Sequence, residues 1–124
     1  MAVEINEEVW RVRMVSMLNI NDLFALISIL QFYEKYQRER MAPSQQKTRT
    51  LVEIHLLIVR LCQVRLNQAM ELTFEDVGYI IGAIDIFVSQ VEQKIPTSKE
   101  RTDTLKSCQH LKKYIVATLS SSQA

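Results

Sequence analysis

The scarcity of turn-forming residues is the feature that most constrains the fold of this sequence. Glycine and proline occur only twice each in 124 residues, far below the roughly 12% that average usage gives. Hairpins and tight turns depend on these residues, so a fold with many strands would lack its turn chemistry. Long helices need few connections, and the sequence therefore predicts an all-α fold.

Length and composition indicate one globular domain. The sequence is 48% hydrophobic and 23% charged, which is too apolar for intrinsic disorder. A chain of this length can bury roughly two thirds of its unfolded surface in one core. We predict a single helical domain over residues 1–124, with a frayed tail at about 120–124.

Helical periodicity divides most of the chain into segments separated by short breaks. Each break carries proline or capping residues such as threonine and serine, which end one helix and begin the next. Short breaks make successive helices antiparallel neighbours. The pattern predicts a compact antiparallel bundle of four to five helices. The four clearest segments lie at about 21–41, 47–70, 73–95 and 97–119.

The segment over 47–70 is apolar around most of its circumference. Its polar residues form one narrow stripe on a helical wheel, and apolar residues occupy nearly all other positions. A helix that is apolar on most sides is usually enclosed by its neighbours, so we predict that this is the central helix of the bundle. His55 and Arg65 are the polar residues that project into the apolar sector.

The N-terminal segment over 7–18 fits two structures. Residues 9–15 alternate between apolar and charged side chains, as a half-buried strand does, whereas residues 6–8 are typical of a capped, acidic helix start. We predict a helix here, which would be the fifth of the bundle. The alternative is a strand that pairs with its copy in a second subunit.

Both glycines stand four residues apart inside the predicted fourth helix, where each costs about 1 kcal/mol relative to alanine. Gly78, Gly82, Asp85 and Ser89 form a strip of small and polar side chains beside the apolar face. Such a strip lets a second helix approach closely. We predict a packing contact inside the bundle, with Arg65 as the cation paired to Asp85. The alternatives are a contact between two copies, a groove for a partner's helix, or a solvated face.

Motifs that carry chemistry are missing from the sequence. It contains no glycine-rich phosphate loop, no His-Glu-x-x-His, no Cys-x-x-Cys and no EF-hand loop. The only histidines and cysteines are His55, Cys62, Cys108 and His110. His55 and Cys62 are two helical turns apart, about 10 Å along the axis. We therefore predict neither an enzyme nor a cofactor or metal site.

Positive charge is concentrated over residues 35–65, which hold seven lysines and arginines against two glutamates. This segment supports an alternative function, nucleic-acid binding, in which basic side chains contact phosphates and nearby tyrosines stack on bases. The competing explanation is that cations at a helix C-terminus complement the helix dipole. The candidate phosphate contacts are Lys35, Arg38, Arg40, Lys47 and Arg49.

The remaining features favour a cytoplasmic protein that acts on other proteins. A formal net charge of +1 gives no overall attraction to nucleic acid or an anionic membrane. No apolar stretch reaches the roughly 20 residues of a membrane span, and the acidic start is unlike a secretory signal. Two cysteines without an export signal are typical of a reducing compartment. We predict a self-associating adaptor, regulator or assembly component, as a homodimer or higher oligomer.

Overall fold

The computed structural model describes residues 11–14, 20–63 and 70–122, and the fold they form is an all-α bundle, as predicted. Helix α1 packs against α2 and α3, and α3 packs against α4. A short two-stranded ladder adds to the helices. The elements are β1 (Arg11–Met14), α1 (Ile20–Arg40), α2 (Gln45–Cys62), β2 (Met70–Thr73), α3 (Phe74–Lys94) and α4 (Lys99–Ser122).

The helix boundaries follow from local chemistry. Helix α2 begins after Pro43, where the Ser44 hydroxyl accepts a hydrogen bond from the backbone N–H of Lys47 at 3.0 Å. Helix α3 ends at an extended Ile95, since a residue before proline disfavours the helical conformation. No helix in the described ranges is both long and apolar enough to cross a lipid bilayer.

The prediction of an N-terminal helix is wrong at Arg11–Met14. These residues form β1, which pairs antiparallel with β2, so that Arg11 lies opposite Thr73 and Met14 opposite Met70. The strand alternative was right about the structure, but the partner strand belongs to the same chain. The alternation of apolar and charged residues is the period of a strand. The rest of 7–18 lies outside the described residues.

Helix α2 is shorter than the predicted segment over 47–70. It ends at Cys62, and Met70 already belongs to β2; residues 64–69 lie outside the described part of the chain. The predicted end of the helix at Met70 was wrong, because Met70 pairs with Met14 as the first residue of β2 and helps to satisfy the backbone of β1.

The central helix is α3 rather than α2, which corrects a second prediction. Helix α3 contacts the other three helices and also β2. Its buried side chains share one side of the helix: Asp76, Val77, Ile80, Ala83, Ile84 and Val91. On the two flanks of that side, the half-buried Ile81 and Ile86 also pack against the core. Helix α2 buries one side only, because its opposite side has no neighbour among the described residues. Apolar residues around a helix therefore did not mean enclosure here.

One hydrophobic core joins all four helices. Its fully buried large side chains come from each helix and from β2: Leu26, Leu30, Ile54, Leu57, Leu61, Leu72, Ile80, Ile84 and Ile115. Full burial of one such side chain stabilises the fold by about 1.5–3 kcal/mol. The core thus fixes which side of each helix faces inward.

The start of α3 is held by a buried carboxylate. The Thr73 hydroxyl accepts from the backbone N–H of Asp76 at 3.1 Å, and the Asp76 carboxylate accepts from the backbone N–H of Thr73 at 2.9 Å, which is a capping box. The same carboxylate accepts from the Arg60 guanidinium at 2.7 Å. Asp76 therefore connects the end of β2, the start of α3 and the last turn of α2.

Replacing this carboxylate should weaken the whole fold. We expect Asp76→Ala to lower the free energy of unfolding by about 2 kcal/mol, because it removes a helix cap and the ion-pair partner of Arg60. Urea denaturation measures this change. The control is Glu75→Ala, which removes an exposed carboxylate from the same turn and should cost about 0.5 kcal/mol. Equal losses in the two variants would contradict the role given to Asp76.

Candidate interaction surface

Helix α2 carries apolar side chains on two opposite sides. Its inner side packs in the core. On the opposite side Val52, Leu56 and Val59 are 51%, 54% and 38% exposed. Their spacing of four and three residues places them in one line along the helix. We refer to these three side chains as the outer ridge.

One edge of the outer ridge is charged and already ordered by ion pairs. Arg49 donates to the Glu53 carboxylate at 3.0 Å, and Arg60 donates to Asp76. Both arginine side chains keep much of their surface in solvent, 75% for Arg49 and 47% for Arg60. Since a guanidinium has five donors, each retains donors for an additional partner.

The other edge of the ridge faces α1. There His55 Nδ1 lies 3.4 Å from the Glu34 carboxylate of α1. Glu34 also accepts a hydrogen bond from Arg38 at 2.9 Å. The outer ridge is therefore bounded by polar groups on both edges, as the apolar centre of an interface usually is.

A polar cleft of about 500 Å³ lies between the first turns of α2 and α3. Within it Tyr79 donates a hydrogen bond to Glu53. Burial and this bond raise the pKa of Tyr79 to about 12. The bond from Tyr79, assisted by Arg49, lowers the pKa of Glu53 although partial burial opposes this. Glu53 is thus held as a carboxylate between the cleft and the outer ridge.

The strip formed by Gly78, Gly82, Asp85 and Ser89 lies on the surface of α3. A Cβ atom at Gly78 would meet no described atom within 4 Å, and one at Gly82 would lie 3.6 Å from the Tyr33 hydroxyl oxygen. Gly78, Asp85 and Ser89 are exposed, and Gly82 is half-buried. The predicted close contact inside the bundle is therefore not found at Gly78, and at Gly82 it is a contact with one side chain of α1.

Among the described residues, the cation that Asp85 contacts is Lys112 of α4, whose ammonium group donates to the carboxylate at 2.7 Å. Arg65, the predicted partner, lies outside the described residues. The ion pair links α3 to α4 at a largely exposed position, where such pairs contribute less than about 1 kcal/mol. The sequence did not indicate Lys112, because the choice of cation depends on how the two helices cross.

The five predicted phosphate contacts lie close to the connection between α1 and α2. Two of the arginines are bound by glutamates of the same chain, Arg38 by Glu34 and Arg49 by Glu53. Arg40 stacks over the ring of Tyr36, 4.3 Å from its centroid. All three arginines of the set therefore already interact with glutamate or tyrosine side chains of the same chain. These contacts favour a role in the protein's own surface over phosphate contacts. Lys35 and Lys47 complete the set.

Cysteine and histidine side chains do not form a metal centre in the described part of the chain. No three of the described histidine, cysteine, aspartate and glutamate side chains lie where they could together hold a metal ion. His55 and Cys62 lie on α2, whereas Cys108 and His110 lie on α4. Both thiols are free; Cys62 is exposed and Cys108 is buried, and burial raises the pKa of the Cys108 thiol.

The outer ridge was missed by the sequence analysis, although its residues are visible in the pattern. Apolar residues on two opposite sides of one helix were attributed to enclosure, when they mark a core side and a surface side.

No protein-family model, curated protein or solved structure matches this chain.

The two glycines should respond oppositely to the same substitution. Gly78→Leu should raise the free energy of unfolding by roughly 1 kcal/mol, because leucine is the better helix former and the site is open. Gly82→Leu should lower it by about 1–3 kcal/mol, since its Cβ would already be in van der Waals contact with Tyr33 and the rest of the side chain would overpack there. Thermal unfolding of both variants measures the difference. A loss of stability in Gly78→Leu would show that this position is covered.

The hydrogen bond between Tyr79 and Glu53 should make the free energy of unfolding depend on pH. We expect Tyr79→Phe to lower the free energy of unfolding by about 1 kcal/mol at neutral pH. Because the pKa of Glu53 is lower in the folded state than in the unfolded state, ionised Glu53 stabilises the fold at pH values above the unfolded-state pKa. This stabilisation is lost as the pH falls through the folded-state pKa. The difference between variant and wild type should therefore shrink in acid.

Urea denaturation at several pH values checks this expectation. Tyr36→Phe is the control, because it keeps the ring contacts with Phe32 and Arg40 and does not alter Glu53. If Tyr79→Phe loses as much stability in acid as at neutral pH, the bond does not have the assigned role.

Proposed function

We propose that this protein is a non-enzymatic interaction module that self-associates through the outer ridge of α2, as an adaptor, regulator or assembly component. The observation that carries the proposal is the alignment of Val52, Leu56 and Val59, all exposed, on the side of α2 opposite the core. Single exposed apolar residues are normal in soluble proteins. A contiguous apolar patch bounded by polar residues is typical of an interaction surface.

The spacing of the ridge suits a second copy of the same helix. A twofold axis near Leu56 would bring two α2 helices together antiparallel, since a twofold contact pairs one surface with itself. Leu56 then meets its own copy, and Val52 lies beside Val59 of the other chain. The apolar side chains of the two ridges therefore cover one another without a gap in the line.

Charge also favours a second copy as the occupant. In the antiparallel arrangement the charged edges of the two helices lie side by side, and Glu53 of one copy comes beside Arg60 of the other. Arg60 is 47% exposed and retains donors for that carboxylate. Opposite charges at matching positions favour this register over a shifted one.

The size of the ridge sets the expected strength of association. A stable interface buries about 800 Å² on each partner, which is more than three side chains and their immediate neighbours supply. We therefore expect a dimer that forms and dissociates with protein concentration rather than a permanent one. The free thiols of Cys62 and Cys108 support a reducing compartment, such as the cytoplasm, as part of this proposal.

Charging the centre of the ridge should abolish association. Leu56→Glu places two like charges at the twofold axis, and we expect it to weaken dimerisation at least tenfold, equivalent to about 1.4 kcal/mol. Stability should change by less than about 0.5 kcal/mol, because the side chain is exposed. Sedimentation velocity over a concentration series measures the assembly state.

The matched control is Val116→Glu, which charges a comparably exposed apolar residue on α4, 41% exposed. It should leave association unchanged. Wild-type protein that stays monomeric at the highest concentration would contradict self-association. Equal weakening in both variants would contradict the assignment to α2.

A further inference from the structure

His55 lies at the edge of the outer ridge that faces α1. Its position, three residues after Val52 and four residues before Val59, places it beside the ridge along the helix. The side chain is 66% exposed, and its Nδ1 atom lies 3.4 Å from Oε2 of Glu34, whose side chain is only 17% exposed. His55 therefore links the exposed ridge to a largely buried carboxylate of α1.

The two oxygens of the Glu34 carboxylate differ in their partners. Oε1 accepts a hydrogen bond from Arg38 at 2.9 Å, whereas Oε2 is buried and accepts no hydrogen bond from the described residues. Buried polar atoms are normally hydrogen-bonded. Because the His55 ring lies next to Oε2, a proton on Nδ1 supplies the donor that this oxygen lacks. Protonation of His55 therefore adds a donor at this place and a positive charge beside the ridge.

Among the described residues, few groups determine the charge around His55. Its neighbours on α2 at a distance of three and four residues are apolar: Leu51, Val52, Ile58 and Val59. The groups that face it from α1 are Glu34 and its partner Arg38. The charged and titratable side chains of α3 that bind α2 in the described ranges do so at the opposite edge of the ridge, namely Asp76 and Tyr79. Neutral His55 thus leaves its edge without net charge, since Glu34 and Arg38 cancel, whereas protonated His55 gives this edge one net positive charge.

We propose that self-association through the outer ridge is regulated by pH, with His55 as the group that senses it. This inference rests on the proposed function, because it concerns the same antiparallel pair of α2 helices. The twofold axis near Leu56 places the two His55 side chains on the same edge of the pair, one residue from the axis in each copy. Since packed helices lie about 8–10 Å apart, the two imidazole rings come within about 10 Å of each other.

The direction of the effect follows from the charge on these two rings. Histidine ordinarily changes charge between about pH 5 and 8, whereas carboxylates ordinarily titrate near pH 4 and lysine and arginine above about pH 10. In the histidine range the two edges therefore change from neutral to positive together and repel one another. Two like charges about 10 Å apart weaken association roughly tenfold at the effective dielectric constant of a protein surface. The dimer thus forms at neutral pH and dissociates in mild acid.

Sedimentation velocity at about pH 7.5 and about pH 5.5 tests this regulation. The sequence contains two histidines, and the second, His110, is exposed on α4, so His110→Gln is the matched control for His55→Gln. The dissociation constants of the wild type and of His110→Gln should rise roughly tenfold in acid, whereas that of His55→Gln should stay the same. Glu34→Gln leaves the charge of Arg38 uncompensated and should weaken association already at the higher pH.

The outcomes separate this inference from the proposed function. Wild-type protein that associates equally at both pH values, or pH dependence that persists in His55→Gln, would overturn the pH regulation and leave self-association standing. Wild-type protein that is monomeric at both pH values would contradict the proposed function and overturn this inference with it. Circular dichroism at each pH distinguishes dissociation from unfolding, and dissociation that occurs only with loss of helix would also overturn the regulation by His55.

Discussion

The arrangement of the helices depends on the ion pair and the hydrogen bond that the Asp76 carboxylate accepts from Arg60 and from the backbone of Thr73. Asp76 is 6% exposed, and a buried charge of this kind costs several kcal/mol unless it is paired and hydrogen-bonded. Its partners come from two elements, the last turn of α2 and the end of β2, and Asp76 itself lies at the start of α3. Because β2 ends at this point, the pairing of β1 is fixed by the same junction. The hairpin of α1 and α2 is thereby oriented against α3 and α4.

This orientation explains both the outer ridge and the cavity between α1 and α4. With α3 at the centre, α2 is covered on one side only, and Val52, Leu56 and Val59 lie outward. Helices α1 and α4 both rest on α3, so a space lined by small residues stays open between them. The outer ridge and the cavity are therefore consequences of one packing arrangement, although their chemistry differs. One is apolar with charged edges, and the other has Ile29 and Leu111 at its apolar base.

The features that could be predicted from the sequence are those set by local chemistry. Thr73 and Asp76 specify the start of α3 through a capping box, and Pro43 and Pro96 mark the breaks beside α2 and α3. The all-α class followed from the scarcity of glycine and proline.

The features that could not be predicted depend on partners distant in the chain. Strand β1 is four residues long, and its partner begins at Met70, so no local pattern showed the pairing. The outer ridge required knowing that α3 rather than α2 is central. Several basic residues could have paired with Asp85 in a helical bundle. The way in which α3 and α4 cross brings Lys112 to it.

The most direct test of the central claim is to observe the ridge itself during association. Methyl NMR spectra recorded at increasing protein concentration report each exposed apolar side chain separately. The methyl signals of Val52, Leu56 and Val59 should shift together, whereas those of Ile95 and Val116, which are comparably exposed on other parts of the surface, should stay in place. Shifts at Ile95 or Val116 without shifts on α2, or spectra that do not change with concentration, would contradict self-association through this helix.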